Sequence, residues 1–181
     1  MSTTATMAPA TWAIDTAHSE IQFKVKHLVI TTVTGNFKEF SGSVHAGEGF
    51  EDADIHFEAN TESVSTNSDQ RDAHLKGSDF FESDKFPKLS FTSTRFERKD
   101  DDEFVLEGKL TIKGITRPIK FDVKYEGTAK DPWGHLKAGF ELTGKLNRKD
   151  FGLTWNAITE AGGALVSEDV KLIANIQLVK Q

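Results

Sequence analysis

The residues Arg71-Asp72-Ala73-His74-Leu75-Lys76-Gly77-Ser78-Asp79-Phe80-Phe81 decide the fold, because the strand pattern of the chain breaks there. Before and after them, apolar and polar residues alternate at period two, which is typical of half-buried strands. Within them the pattern becomes helical. Asn67 or Ser68 is a suitable N-cap, a short helix is predicted over about 69–76, and Gly77 is placed to end it.

The stretch from about Val64 to Lys88 contains this helix and no clear strand. A connection of that length in a compact domain is usually a lid, a binding loop or a plug. We therefore predict that the strands form a container and that this insert lies at its opening.

The alternation elsewhere predicts roughly eight or more strands joined by short turns. In the clearest segment Ile21, Phe23 and Val25 share one face, and the polar residues between them share the other. Strand structure is predicted to continue over Val29–Val33, with a bulge near Lys38–Phe40. The fold class is all-β, an antiparallel sandwich or barrel, and closure into a barrel would remove the exposed edges.

Length and charge limit the classes of protein that the chain can be. Its 181 residues suffice for one well-buried domain, which we place after a flexible N-terminal segment, 1–11. The net charge of -6 argues against a nucleic-acid partner and against electrostatic docking on anionic lipid. The absence of Cys excludes disulfides and thiolate chemistry.

No apolar run approaches the ~18 residues of a membrane-spanning helix, so no integral membrane segment is predicted. The first residues lack the basic start and apolar run of a secretory signal. The expected location is therefore the cytoplasm, or the periplasm if a signal sequence precedes this chain.

The aromatic residues are mainly Phe, with 14 Phe against 1 Tyr and 3 Trp. Buried Tyr and Trp need a hydrogen-bond partner, whereas Phe does not. Such an interior suits an apolar cavity, although a packed core would have the same composition. Phe80, Phe81 and Phe86 in the insert must also pack on something apolar, either plugging the barrel end or lining its entrance.

Sequence motifs of enzymes and metal sites are absent. There is no Gly-rich phosphate loop, His-Glu-x-x-His or Gly-x-Ser-x-Gly, and the six His are scattered singly. We predict no catalytic residue, no metal and no cofactor.

The one dense polar cluster lies in the insert, and it has two interpretations. Asp72 and Lys76 are spaced i,i+4, as in a surface helix with its own ion pair. Alternatively, Arg71, His74 and Lys76 contact the anionic or polar head of a ligand whose tail is inside the barrel.

Several motifs carry a resemblance to a known family. They are Asp15-x-x-His18-Ser19-x-Ile21-x-Phe23-x-Val25-x-His27-Leu28, Gly35-x-Phe37, Phe40-x-Gly42, Arg71-Asp72-x-His74-Leu75-Lys76, Asp79-Phe80-Phe81, Phe86-Pro87, Gly108-x-Leu110-Thr111-Ile112-x-Gly114-x-Thr116-Arg117-Pro118, Gly139-Phe140, Asn147-Arg148-x-Asp150-Phe151-Gly152 and Trp155. With these motifs in order, the chain resembles the YceI-like family of lipocalin-like polyisoprenoid-binding proteins from Trp12 to about Val179.

The resemblance implies that 12–181 is an extended antiparallel, lipocalin-like β-barrel of about eight strands. Its interior would hold one long amphiphilic lipid, such as a polyprenyl chain, an isoprenoid quinone or a fatty-acid derivative. The predicted cavity residues are Ile21, Phe23, Val25, Phe37, Phe57, Phe80, Phe81, Phe91, Phe121, Phe140, Leu142, Phe151 and Trp155.

We therefore predict a non-catalytic lipid-binding protein. One alternative is an enzyme that acts on such a lipid, with His74 or His27 and a nearby carboxylate as acid or base. Another is a barrel with a filled core that binds a partner protein on its outer surface. The oligomeric state stays open, with a homodimer as one option.

Overall fold

The structure contains eleven strands and one α-helix in the residues that it describes. It is a computed structural model, and it describes residues 10–156 and 165–181. The strands are β1 (Ala10–Ile14), β2 (Glu20–His27), β3 (Thr31–Phe37), β4 (Phe40–Ala46), β5 (Asp54–Asn60), β6 (Val64–Ser65), β7 (Lys88–Arg98), β8 (Glu103–Ile112), β9 (Ile115–Lys130), β10 (Leu136–Asn147) and β11 (Asp169–Lys180). The helix, α1 (Asp69–Lys76), lies between β6 and β7. It is not long and apolar enough to cross a membrane.

Eight strands close into an antiparallel barrel in the order β1-β4-β5-β7-β8-β9-β10-β11, and β1 pairs with β11. One edge of β11 is shared between two neighbours. Leu178–Lys180 pair with β1, whereas Lys171–Asn175 pair with β2. Through β2 the sheet continues to β3 and β6, which extend the barrel at one end. The predicted extended barrel is thereby confirmed.

The insert folds as the capping residues predict. Ser68 is the N-cap, and its Oγ accepts a hydrogen bond from the Arg71 N–H at 3.3 Å. Gly77 ends α1, with its N–H donating to the carbonyl of His74 at 3.1 Å. The expected ion pair of Asp72 with Lys76 is wrong, because the Asp72 side chain turns inward and accepts from Thr66 instead.

The prediction of strand structure over Val29–Val33 is also wrong in its first part. β2 ends at His27, and a tight turn follows in which the Ile30 N–H donates to the His27 carbonyl at 3.2 Å. Leu28 and Val29 have φ angles of 53° and 65°. Strand propensity favoured continuation here, but a tight turn in which both central residues have positive φ fits the twist of the two strands.

An aromatic cluster fills the barrel where β4 and β5 are joined. Phe50 of this connection lies 5.0 Å from Trp12 and 5.0 Å from Phe140 between ring centroids. Tyr125 packs beside it, 5.9 Å from Phe50. The predicted flexible segment lies outside the described residues as far as residue 9, and β1 includes residues 10 and 11.

Candidate ligand cavity

The barrel encloses a cavity of about 710 Å³ with an overwhelmingly apolar wall. This volume lies within the range of about 300–1,000 Å³ that is usual for small-molecule sites. Twelve of the predicted cavity residues line it: Ile21, Phe23, Val25, Phe37, Phe57, Phe80, Phe81, Phe91, Phe121, Phe140, Leu142 and Trp155. Phe151 is not in this lining and is buried in the surrounding core.

The cavity stays open because several Phe rings lie flat over glycines of the neighbouring strand. A Cβ atom on Gly35 would lie 2.2 Å from Phe23 Cζ, and one on Gly144 would lie 2.6 Å from Phe121 Cδ1. Phe23 is paired with Gly35 and Phe121 with Gly144 across the sheet. Any larger residue at these two glycines would push the ring into the lumen.

One end of the cavity is framed by an aromatic cluster that joins the insert to the last loop. The ring of His74 lies 5.1 Å from Phe80 and 4.8 Å from Trp155, in edge-to-face contacts. The ring of Phe80 lies 5.4 Å from that of Trp155. We call this end the mouth, because exposed polar residues, including Lys26, Gln70, Arg71 and His74, line the cavity here.

Arg71 is held at the mouth by a network around Thr66. Arg71 Nε donates to Thr66 Oγ1 at 2.7 Å, and one Nη donates to the Thr66 carbonyl at 2.6 Å. The Thr66 hydroxyl and N–H in turn donate to one carboxylate oxygen of the buried Asp72, at 2.6 and 2.8 Å. The Asp72 carboxylate, whose spacing suggested an ion pair with Lys76 on a surface helix, therefore binds Thr66 and fixes the insert against the end of β6.

The other two predicted head-group residues differ in position. His74 lines the cavity, and its Nε2 lies 2.9 Å from Asp79 Oδ2. Lys76 is outside the lining, with its Nζ 3.7 Å from Glu62 Oε1. The structure thus brings Arg71 and His74 together at the mouth and places Lys76 to the side.

Arg148 lies at the mouth, and the sequence did not indicate a role for it, although it belongs to the motif Asn147-Arg148-x-Asp150-Phe151-Gly152. Its guanidinium donates to the carbonyls of Leu153, Trp155, Ser167 and Val166 at 2.6, 2.8, 2.8 and 3.3 Å. Only 3% of its surface is exposed, and it lines the cavity. Burial lowers the pKa of this guanidinium from its usual value, while the charge of Glu168 opposes the change, and the group stays protonated.

The charged residues of the lining all have one sign. They are Lys26, Arg71 and Arg148, and no Asp or Glu of the described chain is among the lining residues. This holds in a chain whose net charge is -6. An apolar wall with a cationic rim suits an apolar chain that ends in an anionic or electron-rich head.

Metal binding finds no support in residues 10–156 and 165–181, where no group of three or more His, Cys, Asp or Glu side chains is arranged to hold an ion.

Comparisons with known proteins identify the relatives of the chain. A family model described as a YceI-like domain matches residues 12–178. Protein YceI of Salmonella newport is 38% identical over 182 residues, which cover 99% of this chain and 92% of that protein. The crystal structure of the Campylobacter jejuni YceI protein superposes with a TM-score of 0.73 at 32% identity, covering 92% of this chain and 96% of that one.

A more distant structural neighbour is a polyisoprenoid-binding domain from Saccharophagus degradans. It superposes with a TM-score of 0.66 at 13% identity, covering 95% of this chain and 99% of that one. At this identity the likeness shows the fold alone.

Proposed function

Because the chain belongs to the YceI-like family, we propose that it is a non-catalytic carrier that holds one long-chain isoprenoid or a similar amphiphilic lipid in its barrel. The observation that carries the proposal is the cavity itself, with an apolar wall and cations as its only charged lining residues in the described chain. An open cavity of about 710 Å³ also argues against the filled barrel.

The tail of the ligand would lie among the Phe rings, where apolar burial contributes about 25 cal/mol per Å² before the costs of association. The head would remain at the mouth, where we assign its contacts to Arg71 and His74, with Arg148 adding positive charge. A polyprenyl chain, an isoprenoid quinone and a fatty-acid derivative all have this division into tail and head. The name of the Saccharophagus degradans domain agrees with the first of these classes.

The alternative of an enzyme has one observation in its favour, the pair of His74 with Asp79 at the mouth. Both side chains are solvated, with 41% and 51% of their surfaces exposed. A solvated pair lacks the water-poor setting in which acid–base groups are usually tuned. We therefore assign His74 to the binding of the head group rather than to catalysis.

Organic extraction of the purified protein, followed by lipid mass spectrometry, tests the carrier function directly. We expect one class of long-chain lipid at close to one molecule per chain. A protein that carries no lipid, and that binds none when it is offered prenols, would contradict the proposal. A lipid recovered in chemically altered form after incubation would favour the enzyme.

The role of Arg71 is tested by comparing a prenyl phosphate with the prenol of the same length. We expect Arg71→Gln to weaken binding of the phosphate about tenfold and to leave the prenol nearly unchanged. Lys76→Gln is the matched control on the same helix, and it should change neither affinity by more than about threefold. Equal losses for both ligands would indicate that Arg71 acts only through the structure of the insert.

A further inference from the structure

The tip of the β2–β3 hairpin, Leu28-Val29-Ile30, is an apolar segment exposed to solvent. Val29 and Ile30 are each 78% exposed and Leu28 is 40% exposed. The one other large apolar side chain of comparable exposure in the described residues is Trp133, at 81%. Among the described residues, this hairpin tip is therefore the one place where consecutive large apolar side chains are exposed to water.

The backbone of the tip makes its composition more unusual. Leu28 and Val29 occupy the left-handed region, with φ angles of 53° and 65°. Tight turns with positive φ at both central residues favour Asn-Gly at those positions, and a β-branched residue such as Val is a genuine outlier there. Asn-Gly would relieve both the strain and the exposure. Residues that do not suit their local backbone conformation, and that gain no packing from it, are expected to serve a function.

The tip stands beside the mouth. The N–H of Leu28 donates to the Leu165 carbonyl at 2.9 Å, and His27 forms a β-bridge with Val166. Lys26, His27, Leu165 and Val166 all line the cavity. Whatever surface the tip contacts would therefore lie next to the opening through which a ligand passes.

A basic surface adjoins the tip on the outside of the barrel. A groove on this surface is lined by five lysines, namely Lys24, Lys26, Lys120, Lys145 and Lys171. The acidic residues of the same groove are Asp122 and Asp169, and Asp169 is paired with Lys145 at 3.1 Å. The net charge of -6 thus conceals a local excess of lysines on this face of the barrel.

We propose that the β2–β3 tip and this lysine face dock the protein on an anionic lipid bilayer. Val29 and Ile30 enter the headgroup–acyl boundary, and Lys24 and Lys26 contact anionic headgroups, as in interfacial segments that combine apolar anchors with basic residues. Lysines that flank an apolar tip beside a lipid cavity are complementary to anionic headgroups, whereas a protein partner would not require this combination. Docking would place the mouth at the membrane, and this consequence rests on the proposed carrier function.

Co-sedimentation with ligand-free vesicles tests docking without depending on the carrier function. The purified full chain is mixed with vesicles of phosphatidylcholine containing phosphatidylglycerol, or of phosphatidylcholine alone. We expect binding to the anionic vesicles that falls as salt is raised, and much weaker binding to the neutral ones.

A triple variant of the tip, Leu28→Asn with Val29→Gly and Ile30→Thr, introduces residues that suit the turn and the start of the next strand. We expect unchanged or higher stability to urea, with partitioning to anionic vesicles reduced more than about tenfold. Lys24→Ser with Lys26→Ser should reduce it about fivefold for each lysine. Trp133→Ser is the matched control, because Trp133 is equally exposed but lies in the β9–β10 turn, at the other end of β11.

Docking is overturned if the wild type fails to bind anionic vesicles or if the tip variant binds them as well as the wild type. It is also overturned if the wild type is a dimer and the tip variant is a monomer that binds vesicles as the wild type does. The tip would then be an interface between copies of this chain. The carrier function is scored separately, by the affinity of each variant for a short prenol in solution. That affinity should be the same in the tip variant and the wild type.

Discussion

Arg148 carries a positive charge on a buried side chain, since only 3% of its surface is exposed to water. Its guanidinium uses the carbonyls of residues 153 and 155 on one side and 166 and 167 on the other. Sequence could not predict this role, because an Arg in a polar run looks like any surface Arg. The planar fork of donors is what suits it to join two segments that both reach the mouth.

Replacement of Arg148 by Met should destabilise the fold by about 2–4 kcal/mol, because several buried carbonyls would lose their donors. Arg148→Lys should recover little of this loss, since an ammonium group lacks the fork geometry. Lys149→Met is the control, because the exposed pair of Lys149 with Glu168 is worth only about 0–1 kcal/mol. Urea unfolding measures all three, and an Arg148→Met variant as stable as Lys149→Met would contradict this role.

Asp15 predicts a pH dependence of stability. Burial alone would raise the pKa of this carboxyl, but hydrogen bonds from Lys137 and His18 and their charges outweigh burial and bring the pKa to about 2. Because the folded pKa is below the unfolded value, the carboxylate stabilises the fold above about pH 4, and this contribution is lost as the pH falls towards 2.

The full contribution of Asp15 is about 2 kcal/mol, and about half of it should be lost at pH 3. We expect the wild type to lose about 1 kcal/mol more than Asp15→Asn between about pH 5 and about pH 3 in urea-unfolding experiments. Parallel pH profiles for the two proteins would show that Asp15 does not titrate below its ordinary range.

At the scale of elements, the sequence predicted most where local chemistry and tertiary structure agree. Ser68 and Gly77 bound α1 as its capping residues indicated. Period-two alternation placed Phe23, Phe57 and Phe121 on the lining because a closed barrel has one inner face for each strand. The β2–β3 turn was missed because Leu28 and Val29 have strand propensities and not those of a turn.

The pairing of glycines with aromatic rings between strands sets the bore of the barrel. Gly144→Ala would place a Cβ 2.6 Å from the ring of Phe121 and 3.2 Å from the Lys120 carbonyl. We expect the ring to swing into the lumen, so that prenol affinity falls at least about tenfold while stability changes by only about 1 kcal/mol.

Gly139→Ala is the control on the same strand, since its Cβ would make only an ordinary contact of 3.5 Å with Glu126. The double variant Gly144→Ala with Phe121→Leu should recover much of the affinity, because the smaller side chain returns space to the lumen. Normal affinity in Gly144→Ala, or no recovery in the double variant, would show that the glycine does not set the bore.

At the scale of the whole molecule, the amino-acid composition and the net charge did not predict the cavity or the positions of the charges. The predominance of Phe was compatible with either a packed core or a cavity, and only the closed barrel shows that the rings surround open space. The net charge of -6 was compatible with any distribution of charge, and the structure shows cations at the mouth and along the lysine groove. Such features depend on which strands are neighbours, which composition does not encode.

The dependence of affinity on tail length tests how the whole barrel holds its ligand. If apolar burial dominates, each isoprene unit should add about 2 kcal/mol before the cost of ordering it, until the cavity is filled and affinity levels off. Changing the head at constant length should matter less, because contacts at a hydrated mouth are weak. The measurement is a series of prenols of increasing length, compared with an alcohol, a phosphate and a quinone on one tail. Phe140→Asp should weaken binding of every long prenol by several kcal/mol or prevent folding, since a carboxylate would be buried without a partner. An affinity that is flat with tail length but collapses when the head is neutralised would mean that the cationic mouth, and not the apolar lumen, holds the ligand.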